Sequence, residues 1–558
     1  MIMTCIENLS NEIFHEIFDY LDGCDIYKAF SNLNHRLEEF LHCSSLRFKI
    51  KLNSSSSKIF MNYSKQVKLM NKHQILSLDL RSGLYIDEFL SIFIIDSSFD
   101  YLESITLHFM EEYFLLLLLR HFICLPRLLS LNVHADETLT DLSDVYQLGF
   151  ALPTLKYFKI KSEDWIVSLP FATTNQQFST VKYLVIDHYC TFDQLATILS
   201  YTPELCHLYF EHQPDRDSNV EIILPITLSN LTRISLKIIR SDYDEVIKFL
   251  KKISSKLKFL RLTIQSNDVI YLISHLWEGL ILQYFPNLEK FYLKHFESID
   301  YDNRSGNYLW QGNQFTSSFW IERQWIFHAE IYIDEIIYSI YPYKITWYDS
   351  AESEINSMHS IEQKPTYTSS ILTINNRHLS GYLQLLYENI IWMTTVTTIY
   401  HLQFCQQRIP IHTLIKIINF LSNLDSLKVW SLSLSKPKRL SLKKIQLINN
   451  VTKKNKITKV YLENMIKIEE SFVLIGLFPR MKYLQIGWKN NIDITSFVRI
   501  ILMNILNKSN HEFRSLCFCP SMADDNMVKK LQNMIDFDKL IFDYKIKRIC
   551  DLIYLKWK

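Results

Sequence analysis

The chain has 558 residues, 48% hydrophobic and 21% charged, with a formal net charge of +1. These values exclude a disordered tail and argue against a general nucleic-acid or membrane-surface binder, which would carry a basic excess. Glycine is scarce at nine residues, and no G-x-G-x-x-G, Walker A loop or G-x-S-x-G is present, so nucleotide-dependent enzymes and common hydrolases are disfavoured. In chain order, the opening "MIMTCIENLS" has no basic n-region and no apolar h-region, and no secretory signal is expected. The ten cysteines form no CxxC pair and no zinc spacing, which predicts free thiols, no bound metal and a cytoplasmic or nuclear chain.

The first elements lie in "ENLSNEIFHEIFDYLDGCDIYKAFSNLNHRLEEF", Glu7 to Phe40. Leu9, Ile13, Phe14, Ile17, Phe18 and Leu21 recur at helical spacing and are expected to share one side of a helix. Ser10 suits the N-cap, and Glu12 falls in the first turn, where the dipole favours negative charge. Asp22-Gly23 is expected to end this helix, with Gly in the left-handed C′ conformation. Asp25 then caps a second helix carrying Ile26, Ala29, Phe30 and Leu33, and a third follows Asn34 with Leu37, Phe40 and Leu41. About 35 residues cannot bury this much apolar surface alone. The surplus must pack on the rest of the chain or on another protein.

The run "LSNEIFHEIFDYLDGCDIYKAFSNLNHRL" resembles an F-box, in which L-P-x-E opens the first helix, I-F-x-x-L follows and D-[LI] starts the second. Leu9, Glu12, Ile13, Ile17, Phe18, Leu21, Asp25 and Ile26 match that pattern. Ser10 stands where the family usually has Pro, and Leu37 where Trp often follows Arg36. The resemblance covers about 40 of 558 residues. It implies docking to a Skp-type adaptor, and through it to a cullin–RING scaffold, by Leu9, Ser10, Glu12, Ile13, Ile17, Phe18, Leu21, Asp25 and Ile26.

From Ile75 onward a template L-x-x-L-x-L, with any apolar residue at the marked places, recurs fourteen times. It begins at residues 75, 102, 128, 155, 181, 205, 231, 257 and 288, and again at 399, 424, 457, 481 and 513. A period near 26 over the first nine lies in the range of leucine-rich repeats, about 20–29 residues. The second and third apolar places alternate as a half-buried strand requires. Helical stretches such as "FDQLATILS", "YDEVIKFLKKI" and "HTLIKIINFL" lie between templates. Pro126, Pro153, Pro203, Pro286 and Pro479 stand two residues ahead of a template, where each ends the preceding helix and favours an extended chain. Leucine-rich repeats often place Asn or Cys three residues after the last strand Leu. None of the fourteen does so, and the first four have Gly83, Met110, Asp136 and Glu163, so the repeats are degenerate. The short apolar run "FLLLLLR" (Phe114–Arg120) reads as a buried helix, since it is too short to span a bilayer.

The expected fold is α/β: an N-terminal three-helix F-box followed by an irregular leucine-rich-repeat-like solenoid with a parallel sheet on its concave side. The expected divisions are 1–50 for the F-box, 51–74 for a connector ("KLNSSSSK") and solenoid start, and 75–300 for the first repeats. Residues 301–393 read as irregular aromatic-rich repeats, with space for four average units and strands in "HAEIYID" and "YKITWYD" separated by a turn at "IYP". Residues 394–558 complete the repeats.

No catalytic constellation emerges. His188, His207 and His212 are the closest histidine group by repeat position, with His207 on a strand and the others just beyond strand ends. "DRD" (Asp215–Asp217) and "DYDE" (Asp242–Glu245) read as helix caps or solvated loops. Residues 436–459 hold nine Lys or Arg and no Asp or Glu; a solvated inter-repeat loop is favoured over a nuclear-import patch. The resemblance therefore implies a non-catalytic substrate receptor of an SCF-type ubiquitin ligase, needing no cofactor, nucleic acid or membrane. Its unknown protein substrate would meet outward strand residues such as Arg261 and Tyr292. The alternative is a repeat scaffold for protein–protein interaction whose F-box no longer binds the adaptor.

Overall fold

The structure, a computed structural model, describes residue 6 and residues 9–52, 72–81, 94–135, 141–162, 178–212, 228–253, 256–299, 315–332, 334–344, 347, 370–375, 383–405, 408–434, 454–487, 493–507, 512–520 and 523–557. The chain is mixed α/β, its strand pairing is mostly parallel, and among the described residues its strands close no barrel. It divides into two compact units, Met1–Asp268 with Gly279–Lys290, and Val269–Glu278 with Phe291–Lys558.

The first unit opens with α1 (Asn11–Phe18), α2 (Gly23–Phe30) and α3 (His35–Leu41). Among the described residues nine strands follow: β1 (Phe48–Leu52), β2 (Ile75–Arg81), β3 (Ser104–Met110), β4 (Ser130–Ala135), β5 (Tyr157–Lys161), β6 (Tyr183–Cys190), β7 (His207–His212), β8 (Arg233–Ile239) and β9 (Phe259–Gln265). Each pairs in parallel with the next in sequence. Parallel neighbours need a crossover, and α4 (Glu112–His121), α5 (Ser143–Phe150), α6 (Phe192–Ser200) and α7 (Tyr243–Lys251) supply four of them. The leucine-rich run falls in α4, with Leu115, Leu118 and Leu119 buried. Helix α8 (Ser274–Tyr284) follows β9 in sequence.

The second unit contains β10 (Lys290–Ser298), α9 (Ser318–Glu322), β11 (Trp325–Ile331), β12 (Glu335–Pro342), β13 (Ser370–Ile374), α10 (Leu383–Val396) and β14 (His401–Phe404). It continues with β15 (Arg408–Pro410), α11 (Ile411–Phe420), β16 (Ser426–Val429), β17 (Ser431–Ser433), β18 (Lys459–Leu462), α12 (Ile468–Leu477) and β19 (Tyr483–Gly487). It ends with α13 (Ile494–Asn507), β20 (Ser515–Cys519), α14 (Asp525–Asp538), β21 (Tyr544–Ile549) and β22 (Leu552–Trp557). From β11 the strands β13, β14, β16, β18, β19 and β20 pair in parallel in that order. A small parallel pair, β15 with β17, lies outside that order.

Every one of the fourteen templates carries a strand. All three apolar places of each are buried, and the most exposed, Leu288, reaches only 7%. The residues between them face the other way, giving patterns such as buried–intermediate–buried along β4. Each fully buried aliphatic side chain contributes ~1.5–3 kcal/mol, so these places stabilise the strands of both units.

Three expectations are corrected. The sheet is not wholly parallel: β12 runs antiparallel between β10 and β11, and β22 and β21 run antiparallel beyond β20. The three residues between β11 and β12 are too few for a crossover, so the two strands must run antiparallel, with Tyr332 N–H donating to the Glu335 carbonyl at 2.9 Å. The "IYP" run is accordingly the end of β12, where Pro342 faces Trp325 at the strand end, a position that tolerates a missing N–H. "YKITWYD" lies largely outside the described residues. The space allotted to four units holds, among the described residues, two parallel strands and one reversed strand between β10 and β14. Finally, Gly23 does not end α1 in a left-handed cap. It opens α2, and Asp22 rather than Asp25 is the N-cap, accepting from Cys24 N–H at 2.8 Å.

Candidate partner-docking surfaces

The three N-terminal helices fill a core of their own. Phe14 and Phe18 point inward, with ring centroids 5.7 Å apart, and meet Phe30 at 5.8 and 5.0 Å and Phe40 at 6.1 and 5.8 Å. Ile26, Leu37 and Leu41 complete it. Asn34 caps α3 by accepting from Leu37 N–H at 2.9 Å. Arg36 donates to the Leu9 carbonyl at 2.6 Å and to Asn11 Oδ1 at 2.7 Å, which holds the start of α1 against α3.

With that core filled, the apolar residues of α1 split between two sides instead of sharing one. Ile13 and Ile17, one turn apart on α1, lie outside the aromatic core, and Leu9 and Leu21 flank the helix before its start and after its end. Ile13 is 43% and Leu21 38% exposed, while Leu9 and Ile17 are half-buried. Tyr20 and Leu33 are exposed as well. Ser10, at the N-cap of α1, is exposed and makes no capping bond to the backbone. Its side chain instead hydrogen-bonds Glu12, the chief reason that carboxyl lies below its usual range. Asp25 is exposed in the first turn of α2. Of the nine residues expected at an adaptor surface, seven reach the surface at least in part, whereas Phe18 and Ile26 are buried.

The module is joined to the strands by more than the chain. The boundary expected at residue 50 falls inside β1, which pairs with β2. Asp22 accepts from Lys51 N–H at 2.6 Å, and burial is the leading reason its carboxyl is raised. Tyr27 packs on Phe48 at 5.3 Å. Buried Gln74 donates to the carbonyls of Leu41 at 3.0 Å and Cys43 at 2.8 Å. Residues 53–58 of the serine-rich connector lie outside the described residues.

The second surface is the outward side of the strands. Arg261 is exposed on β9, with its guanidinium 5.3 Å from the Phe259 ring centre. Tyr292 is half-buried on β10, on the same side as exposed Lys290 and Lys294. Cross-strand columns not anticipated from sequence also appear here. His108 Nδ1 lies 3.1 Å from His134 Nδ1, and its Nε2 lies 3.1 Å from Asp79. Lys159 pairs with Asp187 at 3.6 Å and Lys237 with Glu211 at 2.8 Å. Stacking the templates and reading each outward column downward would have found His108 with His134 and Lys237 with Glu211, whereas His108 with Asp79 and Lys159 with Asp187 run diagonally across the register.

The three histidines do not converge on a site. His188 and His212 are inside strands, not beyond their ends. Buried His188 accepts from the Tyr146 hydroxyl at 2.6 Å, and burial pushes its pKa down to about 4. His212 stacks on Phe192 at 3.9 Å, with Glu245 of the "DYDE" run 3.5 Å away. His207 lies on the outward side, stacked on Tyr183. "DRD" and residues 436–453 of the basic run lie outside the described residues. Among the described residues, no group of three or more His, Cys, Asp or Glu is placed to hold a metal ion, and no helix is long and apolar enough to cross a membrane. Neither a protein-family model nor a curated protein matches the sequence.

Proposed function

We propose that this protein is a non-catalytic substrate receptor of an SCF-type ubiquitin ligase. The N-terminal helices dock a Skp-type adaptor, which links to a cullin–RING scaffold, and the degenerate leucine-rich-repeat solenoid holds a protein substrate. The observation that carries this reading is the apolar set of Ile13 and Ile17 on α1 with Leu9 and Leu21 flanking it, exposed or half-buried after Phe14, Phe18 and their neighbours have filled the module's own core. Apolar residues left on and beside a helix in this way suit a helix-in-groove interface. The nine sequence-adjacent parallel strands behind it support the repeat reading, because such stacking leaves outward columns of side chains for a partner.

The test is capture of a purified Skp-type adaptor by the full chain. The unmutated protein is expected to bind. Truncating a central anchor costs on the order of 2 kcal/mol, about thirtyfold in affinity, so Leu9→Ala with Ile13→Ala should abolish capture while thermal unfolding of the strands stays unchanged. Equal capture by the double variant would discard this contact surface. No capture by the unmutated chain would discard the receptor reading and leave the repeat scaffold.

A further inference from the structure

We propose that the outward side of β5–β9 is a docking strip for an extended, acidic, aromatic-bearing segment of a protein partner; this deepens, and rests on, the substrate-holding half of the function proposed above. Parallel register aligns the first outward residues of these strands as Tyr157, Tyr183, His207, Arg233 and Phe259, each opposite the next. Neighbours in such a row lie about 4.8 Å apart, so five span roughly 20 Å. Tyr183 is 43% exposed and stacks on His207 with ring centres 4.3 Å apart and planes 9° from parallel. The result is a flat aromatic ledge.

At the β8–β9 end of that ledge, two cations converge on one ring. The guanidiniums of Arg233 and Arg261 lie 5.9 and 5.3 Å from the centre of Phe259. The aromatic face stabilises both charges and orients their donors, which suit bidentate pairing with a carboxylate. Farther along the outward columns of the same strands lie Lys159, Lys161 and Lys237, giving five cations with these arginines. They face two carboxylates, Asp187 and Glu211, which already pair with Lys159 and Lys237. The strip is therefore net positive, in a chain whose overall charge is only +1. A segment that places a carboxylate between Arg233 and Arg261 and lays an aromatic ring over Tyr183 complements both features.

Fluorescence anisotropy with the full chain tests this, using labelled dodecapeptides of alternating Glu–Tyr, Gln–Tyr and Glu–Ser, and a heparin fragment as a generic polyanion. The Glu–Tyr probe is expected to bind, the Gln–Tyr and Glu–Ser probes at least tenfold more weakly. Arg233→Glu with Arg261→Glu should weaken Glu–Tyr binding tenfold or more, and Tyr183→Ala severalfold, with thermal unfolding unchanged. Failure of the Glu–Tyr probe to bind, or equal binding to the double variant, would overturn the proposal. So would a heparin fragment that binds as well as Glu–Tyr and is indifferent to Tyr183→Ala. Adaptor capture by the unmutated chain separates the two readings: no capture with intact Glu–Tyr binding counts against the receptor assignment alone, and capture without Glu–Tyr binding against the strip alone.

Discussion

At the scale of single residues, the scarcity of glycine leaves a mark on the backbone. Asn32, Phe109, Arg240, Gln324, Lys539, Asp543 and Cys550 adopt left-handed conformations, and no described glycine does. Where glycine does occur it can answer a close approach: a Cβ on Gly149 would lie 2.3 Å from the buried Phe158 ring. Lys539 follows α14 with φ 52° and ψ 40°. A left-handed L-residue costs about 1–2 kcal/mol, against which glycine carries about 0.5–1 kcal/mol of extra chain entropy. Lys539→Gly should therefore raise stability by about 0.5–1 kcal/mol in urea unfolding. A loss of stability would show that the lysine side chain contributes more than its strained backbone costs.

At the scale of elements, one buried carboxylate organises the start of α12. Glu470 is 1% exposed. It accepts from Leu432 N–H at 2.9 Å, Ser431 Oγ at 3.1 Å, Ile466 N–H at 3.0 Å and Lys467 N–H at 2.9 Å. One side chain thus caps its own helix and satisfies the short strand β17. Glu470→Ala would strand three backbone donors, at about 1–3 kcal/mol for each that water cannot reach. A loss on the order of 3 kcal/mol is expected in chemical denaturation. A change below about 0.5 kcal/mol, the scale of an ordinary surface substitution, would show that solvent replaces the carboxylate.

At the scale of the whole molecule, buried histidines make stability depend on acid. His188 donates from Nδ1 to the Tyr189 carbonyl at 2.9 Å and accepts at Nε2 from the Tyr146 hydroxyl, so its neutral form is fully satisfied. Burial lowers His188 and His134 to about 4 and His401 to about 3. The unfolded chain protonates near 6.5 and the native chain does not, so stability is complete above pH ~6.5 and is lost as pH falls toward 4. His188 alone accounts for a loss on the order of 3 kcal/mol by pH 4. Denaturation at a series of pH values should show this decline, and His188→Gln should flatten it. A profile unchanged by that substitution would mean the acid response originates elsewhere.

The strand positions of all fourteen templates were legible because a half-buried strand writes its alternation locally: Leu128, Leu131 and Val133 need only one another's spacing to declare an inward side. The same locality exposed the helices between them and the three N-terminal helices. Locality also set the limit. The six apolar residues on and beside α1 are compatible with either side facing in, and the choice fell to Phe30 and Phe40 on other helices, which drew Phe14 and Phe18 inward and left Ile13 and Leu21 at the surface. Asp22 caps α2 by accepting from Cys24 N–H and with its other oxygen accepts from Lys51 N–H, twenty-nine residues away. Strand direction in β12, the meeting of Arg233 and Arg261 over Phe259, and the join made by Gln74 depend on the register between distant segments. Burial periodicity is a property of each segment's own residues, whereas pairing partners and outward columns are properties of the sheet, and only the folded chain brings them together.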